Sequence, residues 1–422
     1  MSDIVIVRRR AHRYILIAAI ALIAAIVTLL AIRWQVGNML ASLTSPDDPG
    51  ASDLAATAVR WAPGDPLAAW LAARTAPDPE VTVEHLENAL RLAPHDHRLR
   101  IELGRALEQV GQIARAEAEL RRAADLAPTY AYPRWHLGNF YLRQERVDEA
   151  MAELKMAAAD NQFYREQVFS LAWDYFDKDP ARLEALAGDT AEGRSRLAYF
   201  FAARGWAADA LRNWNRLSED DKSRRGALAR SIAHGLFSQR KFPEALEFSR
   251  QVGLDPESKP ETVTDGSFEL GPDASDDARF GWNSIRNDPR LEVAGDTRVR
   301  RDGQRSLRVT FKSYSRATLA NVFQTVVVAP GSRYRLRFWI KTENLKSAGL
   351  PQVEVANLND DQSLARSPVF PAGTSDWQEL SVEFIAPQNC TGISIRTVRA
   401  YCGDDCPLSG TLWYEDFELV KL

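Results

Sequence analysis

Shifted by 34 residues, the segment around Leu103-Gly104 falls on the segment around Leu137-Gly138. The same shift superposes Leu107 on Tyr141, Ala116 on Ala150, Leu120 on Leu154 and Ala123 on Ala157. A fixed period of this length means one supersecondary unit, repeated and stacked. Small residues at matched positions let two helices cross closely, while the large ones fill the seam between them. Leu-Ala-Pro endings at Pro94 and Pro128, also 34 residues apart, mark where one unit hands over to the next. No such hairpin buries its apolar face alone, so the core has to come from stacking neighbours.

The pattern resembles the tetratricopeptide repeats, most closely over His97–Tyr130 and Ala131–Tyr164. Pro63, within Trp-Ala-Pro-Gly-Asp-Pro, marks an imperfect earlier unit. Gly205-Trp206-Ala207-Ala208 and Lys241-Phe242-Pro243-Glu244 read as second-helix starts of degenerate later units, so residues 51–255 are expected to form an all-α solenoid. The resemblance implies that the first helix of each hairpin lines a concave groove holding a protein partner. Its positions here are Arg98, Ile101, Arg105 and Glu108, then Tyr132, Trp135, Asn139 and Leu142.

Ahead of the repeats, Arg8, Arg9, Arg10 and Arg13 precede an uncharged run from Tyr14 to Ile32, closed by Arg33 and Trp34. At 1.5 Å per residue the run spans roughly 28 Å, about one hydrocarbon core. Positive charge stays inside, so residues 1–13 are expected in the cytoplasm. Residues 14–34 then form a single-pass transmembrane helix in the inner membrane, 35–50 a linker, and the bulk of the chain lies in the periplasm or outside the cell. A cleaved signal peptide is the rival reading. It would have a shorter apolar stretch and a small-x-small site, and Gln35 to Ser45 holds no convincing one.

Past a turn-rich linker at 256–260 the periodicity changes from 3.6 to 2, and strands separated by Gly, Pro and Asp turns argue for an all-β sandwich or jelly roll over residues 261–422. Asp265-Gly266-Ser267-Phe268-Glu269, Gly281-Trp282, Gly303-Gln304-Arg305-Ser306, Pro330-Gly331-Ser332-Arg333-Tyr334, Asp376-Trp377 and Trp413-Tyr414-Glu415-Asp416-Phe417 follow in that order. As an ordered set they resemble the galactose-binding-like jelly rolls that include many carbohydrate-binding modules. The resemblance implies a structural calcium ion held by Glu269 and Asp416, with Glu415 or Asp265 as substitutes; hard oxygen ligands suit that ion.

Alternation along one strand is informative in itself. Tyr334, Leu336, Phe338 and Ile340 alternate with Arg333, Arg335, Arg337, Trp339 and Lys341, giving an apolar face and a cationic one. With Trp413 expected outward on the closing strand, indole and guanidinium groups together would suit an acidic polysaccharide. The competing possibility is a solvated face whose arginines pair with Glu379 and Glu383 on a neighbouring strand, or a face docked on the repeats.

Cys402 and Cys406 can close a tight disulfide loop, which an exterior location permits, with Cys390 left over or replacing one of that pair. No phosphate-cradling glycine loop, nucleophile elbow or His-Glu-x-x-His pattern occurs, so the chain is not expected to be an enzyme. A formal charge of -4 gives no basic excess for nucleic acid. These readings together describe a membrane-anchored scaffold, its repeats docking a protein and its jelly roll binding a polysaccharide, in exopolysaccharide assembly or export. The alternative is a purely structural or oligomerising protein whose sandwich caps the repeats and binds no glycan.

Overall fold

Helix α1 runs unbroken over Arg10–Leu43, so residues 35–43, read above as linker, are its last turns. The stretch carries no proline, and its small residues fit it to the next two helices, α2 (Ala51–Trp61) and α3 (Pro66–Arg74). A Cβ on Gly37 would lie 2.6 Å from that of Ala62, so only glycine permits the approach. Ala41 is buried with Ala55, Ala58, Ala68 and Leu71, and Asn38 Nδ2 donates to Asp65 Oδ2 at 2.8 Å. Between Tyr14 and Trp34 the apolar side chains are exposed, and the helix is long and apolar enough to cross a membrane. The computed structural model describes residues 10–159, 161–270, 279–284, 288–314, 319, 322–403 and 406–422.

Among the described residues seven helices follow in the same compact unit: α4 (Pro79–Leu92), α5 (His97–Gln109), α6 (Ile113–Leu126), α7 (Ala131–Arg143), α8 (Val147–Ala159), α9 (Gln162–Tyr175) and α10 (Pro180–Ala187). Asp65, Asp78, Asp96 and Asn161 cap α3, α4, α5 and α9 by accepting a first-turn N–H, the role that short polar side chains serve best. The residues matched by the 34-residue shift are the ones that make the hairpins. Leu103, Leu107, Ala116, Leu120 and Ala123 are buried, as are Leu137, Tyr141, Ala150, Leu154 and Ala157. Cβ atoms added to Gly104 and Gly138 would each lie 2.7 Å from the Cγ of Leu120 and Leu154.

Met1–Ala187 is one compact unit and Gly188–Leu422 the other. The division falls within the stretch read as one solenoid, because the last helices belong with the sandwich. These are α11 (Ala191–Ala202), α12 (Ala207–Asn215), α13 (Glu219–Ser223), α14 (Gly226–Ser238) and α15 (Phe242–Gln251). Phe237 packs edge-on against Phe242 and Phe280 at 5.4 and 5.5 Å, and the Phe242 ring covers Gly392. Arg240 reaches the Asn359 carbonyl and pairs with Asp361 at 2.9 Å. The segment 256–260 is tied in as well. Asp255 and Ser258 are buried, and the Asp255 carboxylate accepts the N–H of Phe280 at 3.0 Å and of Arg279 at 3.2 Å.

Ten strands among the described residues make two antiparallel sheets. One has the order β1 (Trp282–Ser284), β4 (Val322–Val327), β9 (Gly392–Arg399), β6 (Pro351–Asn357), β7 (Ser363–Arg366). The other has the order β2 (Leu291–Asp296), β3 (Ser306–Tyr314), β10 (Leu408–Lys421), β5 (Arg333–Lys346), β8 (Gly373–Ile385). Tyr334, Leu336, Phe338 and Ile340 of β5 point into the core with Val353, Val355, Ile393 and Ile395 from the facing sheet. Phe338 stacks on Phe417 at 4.8 Å. The cationic side of β5 therefore faces out, as alternation requires.

Candidate binding surfaces

The first surface lies on α5, α7 and α9. Arg98 and Arg105 are exposed, each with a carboxylate at 3.6 Å, Asp96 for the first and Glu102 for the second. Tyr132 meets His136 edge-on at 4.5 Å, and Trp135 lies 6.1 Å from Tyr164. Asn139 donates to the carbonyl of Trp135 at 2.8 Å. Ile101 does not belong to this surface: it is 0% exposed and packs inside the hairpin stack. Leu142 is also buried, and Glu108 is held by Arg143 at 2.7 Å. His136 and Tyr164 are additions that the sequence reading missed, since His136 sits one residue away from a matched groove position and Tyr164 lies beyond the last of them. Exposed Phe163 and Tyr130 extend the aromatic set, the latter against His97 at 5.7 Å.

Burial, reinforced by the charges of Arg105 and Arg143, holds His136 at about 4, well below the usual 6.5. Between those values the unfolded chain binds a proton that the folded one refuses, so stability falls as pH drops from about 6.5 toward 4 and is flat above. Urea denaturation of the full-length protein across this window is expected to show that slope. The slope should flatten in His136→Gln; an unchanged slope there would remove His136 as its source.

The second surface is the outer face of the sheet that contains β5. Its cations are already matched by carboxylates on neighbouring strands. Glu383 accepts from both Arg333 and Arg335 at 2.6 Å, Arg337 Nε donates to Glu418 at 2.6 Å, and Lys341 pairs with Asp376 at 2.7 Å. Hydrogen bonds from Arg335 and Arg333 hold the Glu383 carboxyl below its usual range. Trp339 is half-buried beneath the Arg301 guanidinium, 4.0 Å above its ring, and Arg301 also pairs with Asp416 at 2.5 Å.

Trp413 corrects the expectation of an outward platform. It is only 4% exposed, and its indole N–H donates to Asp296 Oδ2 at 3.0 Å. The strand places it on the outer side, but Asp296 on β2 and Arg308 on β3 close over that side. A buried indole seeks a partner for its N–H, and Asp296 supplies one.

Glu269, Glu415 and Asp416 converge on the segment 301–305. Glu269 Oε1 accepts the N–H of Gln304 at 2.9 Å, and Glu415 accepts those of Arg301 and Asp302 at 2.7 and 3.0 Å. Burial pushes the Glu415 carboxyl up. Asp416 Oδ2 pairs with the Arg301 guanidinium.

The outer face of the other sheet has a buried acid that the sequence reading did not single out. Glu354 of β6, 2% exposed, bridges Arg366 at 2.9 Å and Arg396 at 2.7 Å. Burial opposes its charge, yet hydrogen bonds from Ser363 and both arginines keep its carboxyl below the usual range. In the cysteine-containing segment, Cys402 and Cys406 form a disulfide with Cα atoms 5.8 Å apart, while Cys390 is buried and free.

Residues 78–132 and 110–172 match the family model for the tetratricopeptide repeat. No curated protein matches the chain. Among solved structures, the chain is similar to the CBM22-1–GH10 modules of Clostridium thermocellum xylanase 10B in complex with xylohexaose, with 14% identity, a TM-score of 0.26, and coverage of 38% of this chain and 28% of that one. It is similar to a structure described as "CBM4 structure and function", with 13% identity, a TM-score of 0.29, and coverage of 38% and 99%. It is also similar to MamA, with 16% identity, a TM-score of 0.24, and coverage of 36% and 94%.

Proposed function

We propose that this chain is a membrane-anchored binding scaffold of the cell envelope. In this reading the repeats dock a protein partner and the sandwich engages an acidic polysaccharide, in exopolysaccharide assembly or export. The repeat region supports protein interaction through the aromatic and cationic row of Arg98, Arg105, Tyr132, Trp135, His136 and Asn139. The observation that carries the glycan reading is the exposed row Arg333, Arg335 and Arg337, held only by surface ion pairs. Such pairs are worth about 0–1 kcal/mol each. A carboxylate- or phosphate-bearing polymer can therefore replace Glu383 and Glu418 at little cost, and Arg forks suit those groups.

Retention of α1 as an anchor is supported by its packing. Leu40 and Ala41 belong to the hydrophobic cluster with α2 and α3, so a cleavage that removed them would strip the first hairpin of its partner. Four arginines before the span against Arg33 after it favour an N-terminus in the cytoplasm and a periplasmic or external bulk.

Full-length protein in detergent is expected to bind acidic but not neutral polysaccharides, more weakly as salt rises. Affinity should fall about tenfold in Arg335→Ala/Arg337→Ala, roughly the loss of two charge-assisted contacts. Calcium is expected to leave binding and melting temperature unchanged, because Arg301 holds Asp416. Binding that is insensitive to salt and to both substitutions would discard the glycan face. No binding at all would favour the structural reading, for which the self-paired face is the supporting observation.

A further inference from the structure

We infer that the C-terminal end of α2 is a second membrane contact, in which Trp61 and Arg60 sit at the same lipid headgroup level as Trp34 and Arg33. This rests on the anchor reading and adds what that reading leaves open: whether the first hairpin stands clear of the bilayer or rests on it. The span ends at Arg33 and Trp34, the residue types that settle at a membrane–water boundary. Helix α2 then folds back along α1 toward that boundary.

Two contacts fix the depth of its end. The Arg33 guanidinium donates to the carbonyl of Arg60. Gly37 lies against Ala62, too close for any added Cβ. Gly37 is only about 6 Å along the helix axis beyond Arg33, at 1.5 Å per residue. Trp61, between the two fixed points, is thus held at the level where the span leaves the lipid.

The exposed chemistry at that level is what an interface accepts. Trp34 is 47% exposed and Trp61 38%, and neither is covered by the hairpin core. An indole there places its ring among acyl carbons and its N–H among headgroups. Arg33 and Arg60 add positive charge for lipid phosphates. The nearby carboxylate, Asp65, is buried and accepts from Asn38 and the Leu67 N–H. The occupant that this patch fits is the headgroup layer of the same bilayer, since the patch is continuous with the span.

The test uses the full-length protein in nanodiscs of zwitterionic and anionic phospholipid containing a headgroup nitroxide. An environment-sensitive dye is attached to single introduced cysteines; the native ones are buried or in a disulfide. Trp61→Cys is expected to be quenched to the same extent as Trp34→Cys, and Ser52→Cys, exposed at the far end of α2, to be left unquenched. Adding Gly37→Leu, which pushes α2 off α1, should abolish quenching at 61 while sparing 34. A blue-shifted dye at Leu22→Cys reports the span itself. If 22 and 34 are in lipid but 61 behaves as 52 does, this inference is overturned and the anchor stands. If 22 is in water, the anchor reading fails and the inference falls with it.

Discussion

Phe242→Ala is expected to destabilise the second compact unit by about 3–5 kcal/mol, the usual cost of emptying a buried Phe site. The ring is 2% exposed, meets Phe237 at 5.4 Å and covers Gly392 of β9, so its loss opens a cavity where helix meets sheet. For a unit of this size that corresponds to roughly 10 °C in Tm. The informative readout is cooperativity. Scanning calorimetry of the full-length protein should show α14, α15 and the sandwich melting as one transition that shifts as a whole. A sandwich transition left in place while only helical signal melts early would mean that the helices and sheets are separate folding units.

Gly138→Val is expected to cost about 3 kcal/mol, at the upper end for overpacking a tight contact. Even the first carbon would fall 2.7 Å from Leu154 Cγ and 3.3 Å from the Leu154 backbone nitrogen, so α7 and α8 must separate. In a stack bound only by nearest neighbours the damage stays near the altered hairpin. Hydrogen exchange should therefore lose protection over 131–159 first, with the sandwich unaffected. A loss of unfolding free energy in urea below about 1 kcal/mol, the scale of a tolerated volume change, would show that the crossing has slack.

The site was less legible than the fold, and particular residues show why. Tyr132, Trp135 and Asn139 could be placed because each occupies a repeat position and the helical period fixes its direction. Ile101 holds the equivalent position one repeat earlier, yet it is buried, because periodicity gives a side chain's direction and not what covers it. Trp413 failed in the same way: strand alternation turned it outward correctly, and Asp296 and Arg308 from neighbouring strands then closed over it. Glu354 gave no local signal at all, since its two arginines come from β7 and β9 and meet it only across the sheet.

The sequence by itself determined the apolar span, the 34-residue hairpins and the two-residue alternation of β5. Each rests on spacing along the chain, and spacing survives without knowledge of the fold. Only the tertiary structure decided that residues 35–43 continue the apolar helix into the first hairpin, that α11–α15 join the sandwich, and that Arg301 covers Trp339. Those outcomes depend on which surfaces meet in space. Gly37 against Ala62 and Phe242 over Gly392 are contacts between residues far apart in sequence, and no local period encodes them.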